Sequence, residues 1–297
     1  KKNAIAVSFI GEGTLGEEID YDPLIQISLY EVPQLIVCEN NYYSQSTPQD
    51  KAVSGNILDR PKAFGIKTFE ANTWDLKELF EIAEEAVNYV REGKPAFFNV
   101  STYRLNAHSK GDDDRNLEEI EFFNRNDPLN KFLEQPKWQT ERQLFSQEVQ
   151  KHISSSSTET LHEEEYFKDQ LPREVSKNLQ KIENTNIRMV KALNIAYREF
   201  LTENSFFIGE DIVDPYGGAF KVTNGFSTDF PEQVFQSPIS EAGLIGVSIG
   251  MSLMGVRSFA EIMFGDFTTL AFDQLVNNAS KMHHMYAFQA DVPLVVR

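Results

Sequence analysis

Residues 4–16 read AIAVSFIGEGTLG. A short apolar run, Ala4 to Ile10, passes straight into Gly11, Glu12 and Gly13. Such a run, closed by glycine, marks a strand of the kind buried in parallel sheets. A second run, QLIVC at 34–38, follows one strand–helix–strand unit later. Parallel strands joined by a crossover helix bring the residues after each strand to one carboxyl edge, where open α/β sheets bind ligands. The fold class is therefore α/β.

Glu12 poses the chemical question. Glycines on either side let the backbone come close to a phosphate, yet a carboxylate between them repels one. The spacing is not that of a dinucleotide fingerprint: Gly16 falls in place, but no acidic ribose ligand ends a second strand about 20 residues on. The Gly-Lys-Ser/Thr ending of a P-loop is absent too. Asn41, 29 residues after Glu12 in CENNYYSQSTP, reaches the same sheet edge. A carboxylate oxygen, an amide oxygen and a nearby main-chain carbonyl are hard ligands suited to magnesium or calcium. Magnesium needs few protein groups when substrate phosphates complete its shell, so a cation between Glu12 and a diphosphate removes the repulsion.

Outward from this stretch the α/β grammar continues to about Arg115. Asp75 caps a helix running to Glu92, with Glu78 in capping-box position and Leu76, Leu79, Phe80, Ala83, Val87 and Val90 on one face. Gly93 and Pro95 stop it, and PAFFNVSTYRL is the next strand. A charge-dense stretch follows, with SSSS at 154–157, the acidic run HEEEYFKD and a helical piece over Glu141–Ile153. Its acidic runs read as a solvated face. The grammar then restarts with a helix near Asn186–Thr202, the strand FFIGED, the loop YGGAFKVTNGF and a helix from Ser240 to about Met254. VRSFAEIMF is a strand, Phe267–His284 a helix and VPLVVR a strand. The expected domains are 1–125, a helical connector at 126–185, and 186–297.

Composition excludes several classes. The chain has 297 residues, 41% of them hydrophobic, and 23 Phe, which suits a packed core. A net charge of −17 argues against nucleic acid and anionic membranes. Cys38 stands alone, so no internal disulfide forms and a reducing, cytoplasmic setting is expected. Leu244–Val256, the most apolar stretch, is too short to span a bilayer.

GEG plus 29 residues to the second Asn of ENN matches a thiamine diphosphate motif. With ENNYYSQSTP, AFGI and FFNVSTYRLNAHSKGDDDR, the first half resembles the α part of the first, decarboxylating component of 2-oxoacid dehydrogenase complexes. The second half, with GEDIVDPYGGAFKVTNGF, SPISEAGLIGVSIGMSLMG, EIMFGDF and DQLVNNASK, resembles the start of the β part, as in the fused αβ form. The resemblance implies two thiamine diphosphate-binding-fold domains, each incomplete, with thiamine diphosphate and Mg2+ as cofactors. Glu12, Asn41 and the Tyr43 carbonyl then hold the metal, while Gly11, Gly13 and Thr14 lie along the diphosphate. His108 sits on the loop reaching the active-site mouth, and Ser109 matches a serine phosphorylated in some members. Glu241 bonds the aminopyrimidine ring and Phe267 packs on it. Without the resemblance, His108 is a surface-loop residue, Glu241 an acid at a helix N-terminus and Phe267 a core side chain.

The implied partners are a 2-oxoacid, a lipoyl-bearing acyltransferase core protein and a second copy of the chain or more. The sequence departs from the family in three places. Glu12 replaces the usual Asp, Asn106 stands where many relatives have another histidine, and Pro23 and Ile25 replace small and Asn-like helix residues. Pro23 predicts a helix that starts late, capped by Asp22, or kinks. The family's N-terminal diphosphate contacts and its later histidine and third domain are missing, so the chain is expected to be a fragment. A transketolase-type enzyme and a non-catalytic scaffold relative are the rival readings.

Overall fold

The computed structural model describes residues 4–109, 111, 113–155 and 186–297. The chain divides into two units, one of Lys1–Ile120 with Ile187–Arg297 and one of Glu121–Asn186. The first unit holds two four-stranded parallel sheets. β1 (Ala6–Gly11), β2 (Gln34–Asn40), β5 (Lys67–Asn72) and β6 (Ala96–Ser101) form one, in the order β1-β2-β6-β5. β7 (Ser205–Gly209), β8 (Val234–Gln236), β9 (Arg257–Glu261) and β10 (Leu294–Val296) form the other, in the order β10-β9-β7-β8. β3 (Tyr43–Ser44) and β4 (Thr47–Pro48) make a small antiparallel hairpin after β2.

Burial follows position in each sheet. β2 and β6 are central, covered on both faces, and their side chains from Leu35 to Cys38 and from Ala96 to Val100 are buried, hence their apolar runs, which only Asn99 interrupts, donating to Glu70 at 3.2 Å. β1 was expected to be buried as well, but it is the edge strand, and Phe9 is 66% exposed. One face of this sheet packs Leu15, Leu24, Ile27, Ile36, Cys38 and Phe97; the other packs Val37, Phe69, Phe98, Ala86 and Val90. Burial pushes the Cys38 thiol up to about 12, with the charges of Glu12 and Glu39 adding to it, so it stays a neutral core group.

Helix α1 spans Tyr21–Leu29. Pro23 is its third residue, so the helix neither starts late nor takes Asp22 as cap. A proline in the first turn removes an N–H that has no intrahelical partner there. Short helices α2 (Gln49–Ala52) and α3 (Asp59–Ala63) precede α4 (Leu76–Arg91), where the Asp75 side chain accepts from the Glu78 N–H at 3.1 Å, as the capping pattern predicts. Its buried face is turned slightly from the expected one. Ala86 and Val90 are fully buried, whereas Leu76 and Phe80 are exposed.

In the second sheet, Phe207, Phe226, Phe259 and Tyr197 interlock, Tyr197 meeting Phe207 edge-on at 5.3 Å. The Glu241–Leu253 helix covers the other face through Leu244, Ile245 and Ile249. The two halves of this unit touch where α1 meets that helix. A Cβ on Gly243 would stand 2.4 Å from Gln26 Nε2, so only glycine admits the Gln26 side chain there. Tyr30 also donates its hydroxyl to the Gln236 carbonyl at 2.7 Å.

The single helix expected over Phe267–His284 is instead three pieces: a 3-10 stretch at Gly265–Ala271, a π-helix at Gln274–Ala279 and an α-helix at Ser280–Met285. Ser280 Oγ donates to the Val276 carbonyl at 2.7 Å, and Asn277 donates to Asp273 at 2.7 Å. The Ser280 bond to a carbonyl of the preceding turn is of the kind that bends helices, whereas the Asn277–Asp273 pair is an i,i+4 side-chain contact that a helix accommodates.

The described part of the second unit is helical. α5 (Leu117–Asn126) leads into it, followed by α6 (Pro128–Leu133) and α7 (Gln139–Ser155), which contains the expected Glu141–Ile153 piece. Asp127 caps α6 by accepting from the Asn130 N–H, with Pro128 at the first helical position. The HEEEYFKD run lies outside the described residues.

Candidate functional site

β1 and β2 pair in parallel with Gly11 opposite Glu39, so both strands end at one edge. The chain then turns through a 3-10 stretch, Glu12–Gly16, steadied by Thr14 Oγ1 donating to the Gly11 carbonyl at 2.9 Å. Glu12 is completely buried, and its Oε2 accepts from the Asn41 N–H at 3.1 Å. Beyond Asn41 the backbone reverses: Tyr42 and Gln45 take φ values of 67° and 56°, and Gln49 N–H donates to the Tyr42 carbonyl at 2.9 Å. Gly13 is fitted to this hairpin. A Cβ there would lie 2.1 Å from Ser44 Oγ and 2.9 Å from Ser44 Cβ, whereas one on Gly11 would meet nothing within 4 Å.

Three oxygens at this edge, Glu12 Oε1, Asn41 Oδ1 and Ser44 Oγ, are buried without a hydrogen-bond partner among the described residues. Burial raises the Glu12 carboxyl above its ordinary range; the N–H groups of Asn41, Glu12 itself and Tyr43, and the Arg104 charge, oppose the rise. Buried polar atoms are normally satisfied, so orphan oxygens on two residues already joined by a hydrogen bond suit a hard cation. The described residues contain no cluster of three or more His, Cys, Asp or Glu that could hold a metal. One carboxylate and one amide oxygen are donors of the kind Mg2+ accepts when phosphates and water supply the rest.

His108 lies on the exposed loop after β6, with Nδ1 3.2 Å from Ser109 Oγ. That loop is pinned by Arg115, whose side chain is only 1% exposed. It pairs with Asp113 at 2.7 Å and donates to the carbonyls of Arg104 at 2.5 Å and Asn106 at 3.1 Å. The hydrogen bonds and the Asp113 charge raise the guanidinium's affinity for its proton. Arg104 donates to the carbonyls of Gln45 and Asn106, joining the loop to the hairpin.

Glu241 and Phe267 belong to the second sheet's half. Glu241 is the first residue of its helix and is 8% exposed; Ser240 caps that helix by accepting from the Gly243 N–H at 3.1 Å. Glu210, at the end of β7, accepts from the Ser240 N–H at 2.9 Å. Burial raises the Glu210 carboxyl, and the Glu241 charge adds to the rise. Phe267 is exposed, not the core side chain of the alternative reading, and meets Phe264 edge-on at 5.5 Å. Among the described residues no hydrogen bond joins Glu241 or Phe267 to the Glu12–Asn41 turn.

Sequence reading missed Ser44, Glu119, Glu210 and the pinning role of Arg115. Glu119 and Glu210 meet partners far off in sequence, Ser44 matters only where the hairpin folds over Gly13, and the Arg115 contacts to carbonyls depend on how its own loop bends, so no local pattern announces them.

Residues 1–174 match the family described as Dehydrogenase E1 component, and residues 185–293 match the family described as Transketolase, pyrimidine binding domain. The chain is 36% identical over 115 residues to a pyruvate dehydrogenase E1 component subunit beta from Leifsonia xyli subsp. xyli, covering 38% of this chain and 34% of that protein. It is 30% identical over 174 residues to a pyruvate dehydrogenase E1 component subunit alpha from Rickettsia bellii, covering 57% and 52%. It is also 34% identical over 117 residues to the acetoin:2,6-dichlorophenolindophenol oxidoreductase subunit beta of Cupriavidus necator, covering 36% and 35%. The chain thus spans between a third and about half the length of these relatives.

Proposed function

The chain belongs to the dehydrogenase E1 component family, and on that premise we propose that it carries the thiamine diphosphate and Mg2+ machinery for decarboxylating a 2-oxoacid. The convergence of Glu12 and Asn41 at one sheet edge, each with a buried unpartnered oxygen, is the observation that carries this reading. Glu12, Asn41 and the Tyr43 carbonyl would hold the metal. Gly11, Gly13 and Thr14 would border the diphosphate, the open side of Gly11 leaving room for it.

Bound thiamine diphosphate supplies an electron sink for the bond that breaks as carbon dioxide leaves. Glu241, buried at its helix start, would hold a proton against the aminopyrimidine ring, and Phe267 would pack on that ring. His108, on its pinned loop, would serve at the mouth of the site. We propose further that the acyl group passes to a lipoyl-bearing acyltransferase core protein, that the chain acts as a dimer or larger assembly, and that it works in the cytoplasm. No helix among the described residues is long and apolar enough to cross a membrane. A ketol-transferring role has only the name of the second matched family behind it, and the E1 match over the first half weighs against it.

Calorimetry of the chain with Mg2+ and thiamine diphosphate tests the binding claim. Saturable binding that Asn41→Ala weakens by tenfold or more is expected. No heat at millimolar cofactor overturns it and favours the scaffold reading. Carbon dioxide release from a panel of 2-oxoacids with an artificial electron acceptor tests the activity.

A further inference from the structure

Tyr43 serves two neighbours. Its N–H supports the Glu12 carboxylate, while its hydroxyl donates to the two oxygens of Glu119 at 3.1 and 3.0 Å. The Tyr103 hydroxyl donates to the same carboxylate at 3.0 Å. Glu119 lies in the first turn of α5, 76 residues from Tyr43 and 16 from Tyr103. The two rings meet at 87° with centroids 6.4 Å apart. The Arg115 guanidinium, which pins the Arg104 and Asn106 carbonyls, stands 5.5 and 5.3 Å from their centroids.

Either phenol could be satisfied by water alone, so a carboxylate shared by both makes a joint between the hairpin after Asn41 and the loop that begins at Arg104. We propose that Glu119 is a positioning residue that joins these two segments, so that the order of the Asn41–Tyr43 oxygens and of the His108 loop rises and falls together. Its bearing on catalysis rests on the reading of Glu12, Asn41 and Tyr43 as the metal loop; the joint itself does not.

Hydrogen–deuterium exchange on the full chain, free of metal and cofactor, tests it. Tyr103→Phe removes one hydroxyl from the loop side and leaves the hairpin untouched. It should speed exchange across the 43–49 amides by about tenfold or more, the lower end of what one hydrogen bond to a charged acceptor contributes. Coupling is reciprocal, so Tyr43→Phe should loosen residues 104–109, and Glu119→Gln both segments, with β2 and β6 unchanged. If each tyrosine substitution alters only its own segment, the joint does not exist.

Titration with Mn2+ alone separates this from the metal reading. Weaker Mn2+ binding in Tyr103→Phe supports the link to the metal loop, and unchanged binding overturns it. If the unaltered chain takes up no Mn2+ but cross-segment exchange persists, the metal assignment falls and the joint stands.

Discussion

Glu12→Gln should stabilise the metal-free chain while abolishing the metal binding proposed for it. The carboxylate is completely buried and accepts a hydrogen bond of 3.1 Å from the Asn41 N–H, with the N–H groups of Glu12 and Tyr43 also facing it, while Oε1 has no hydrogen-bond partner among the described residues. Burying an ion costs several kcal/mol even after relaxation. The substitution removes that cost and weakens a charge-assisted bond to a neutral one, a loss of about 1 kcal/mol. A net gain of about 1–2 kcal/mol follows at neutral pH, or a Tm rise of about 2–8 °C for a unit of this size.

The sign has a pH signature. Burial raises the Glu12 carboxyl above its ordinary 4.5, so the folded state holds the proton more tightly than the unfolded state. Stability is therefore lost as pH rises through the raised value. The variant's advantage should vanish below the ordinary value and grow above it. Ligand reverses the order: Mg2+ and thiamine diphosphate at a hundred times Kd would stabilise only the unaltered chain, by about 2.7 kcal/mol. Differential scanning calorimetry at acid and at neutral pH, with and without ligand, reads all of this. A variant that melts lower than the unaltered chain at neutral pH without ligand would refute the reasoning.

Gly13→Ala should cost about 1–3 kcal/mol, because its Cβ would press on Ser44 Oγ and Cβ; a variant with unchanged urea midpoint and cofactor affinity would contradict the close fit. Asp75→Ala should cost about 1 kcal/mol through loss of the α4 cap, measured as a shift of the urea midpoint without change in slope. Hydrogen bonds from Thr228, Gly225 and Ser227 hold the Asp214 carboxyl down at about 2, so its stabilisation is present above the ordinary 3.8 and is lost as pH falls from there towards 2. Acid unfolding of Asp214→Asn should therefore lack that part of the pH dependence.

Much of this was legible because its signals are local. The apolar runs of β2 and β6, the Asp75–Glu78 cap and the 29-residue step from Glu12 to Asn41 each follow from a few neighbouring residues or one crossover unit. What escaped depends on position in the whole. β1 carries the same apolar signature as β2, yet it is the edge strand, and order within a sheet is not written in the strand itself. Pro23 suggested a late start because a proline's cost depends on whether its turn is the first, and the boundary at Tyr21 is set by the chain's exit from the 3-10 turn before it. The 267–284 segment breaks into 3-10, π and α pieces, a change of hydrogen-bond pattern along one apolar stripe that periodicity does not record. The shared Glu119 carboxylate unites segments 76 residues apart.

The strand pairings around the site also set the order in which it is assembled. Ala6 pairs with Gln34, Leu35 with Ala96 and Lys67 with Ala96, each contact closing a crossover; only the β3–β4 hairpin is local. Non-local pairings make for slow folding, because loop closure precedes any reward from contact. Asn41 and Tyr43 thus sit beside a turn that needs only its neighbours, while Glu12 meets them only after β1 has docked on β2. An unfolded or half-folded chain holds no ligand set for a cation to gather, so a metal bound at the proposed site would add its binding energy to a fold already made.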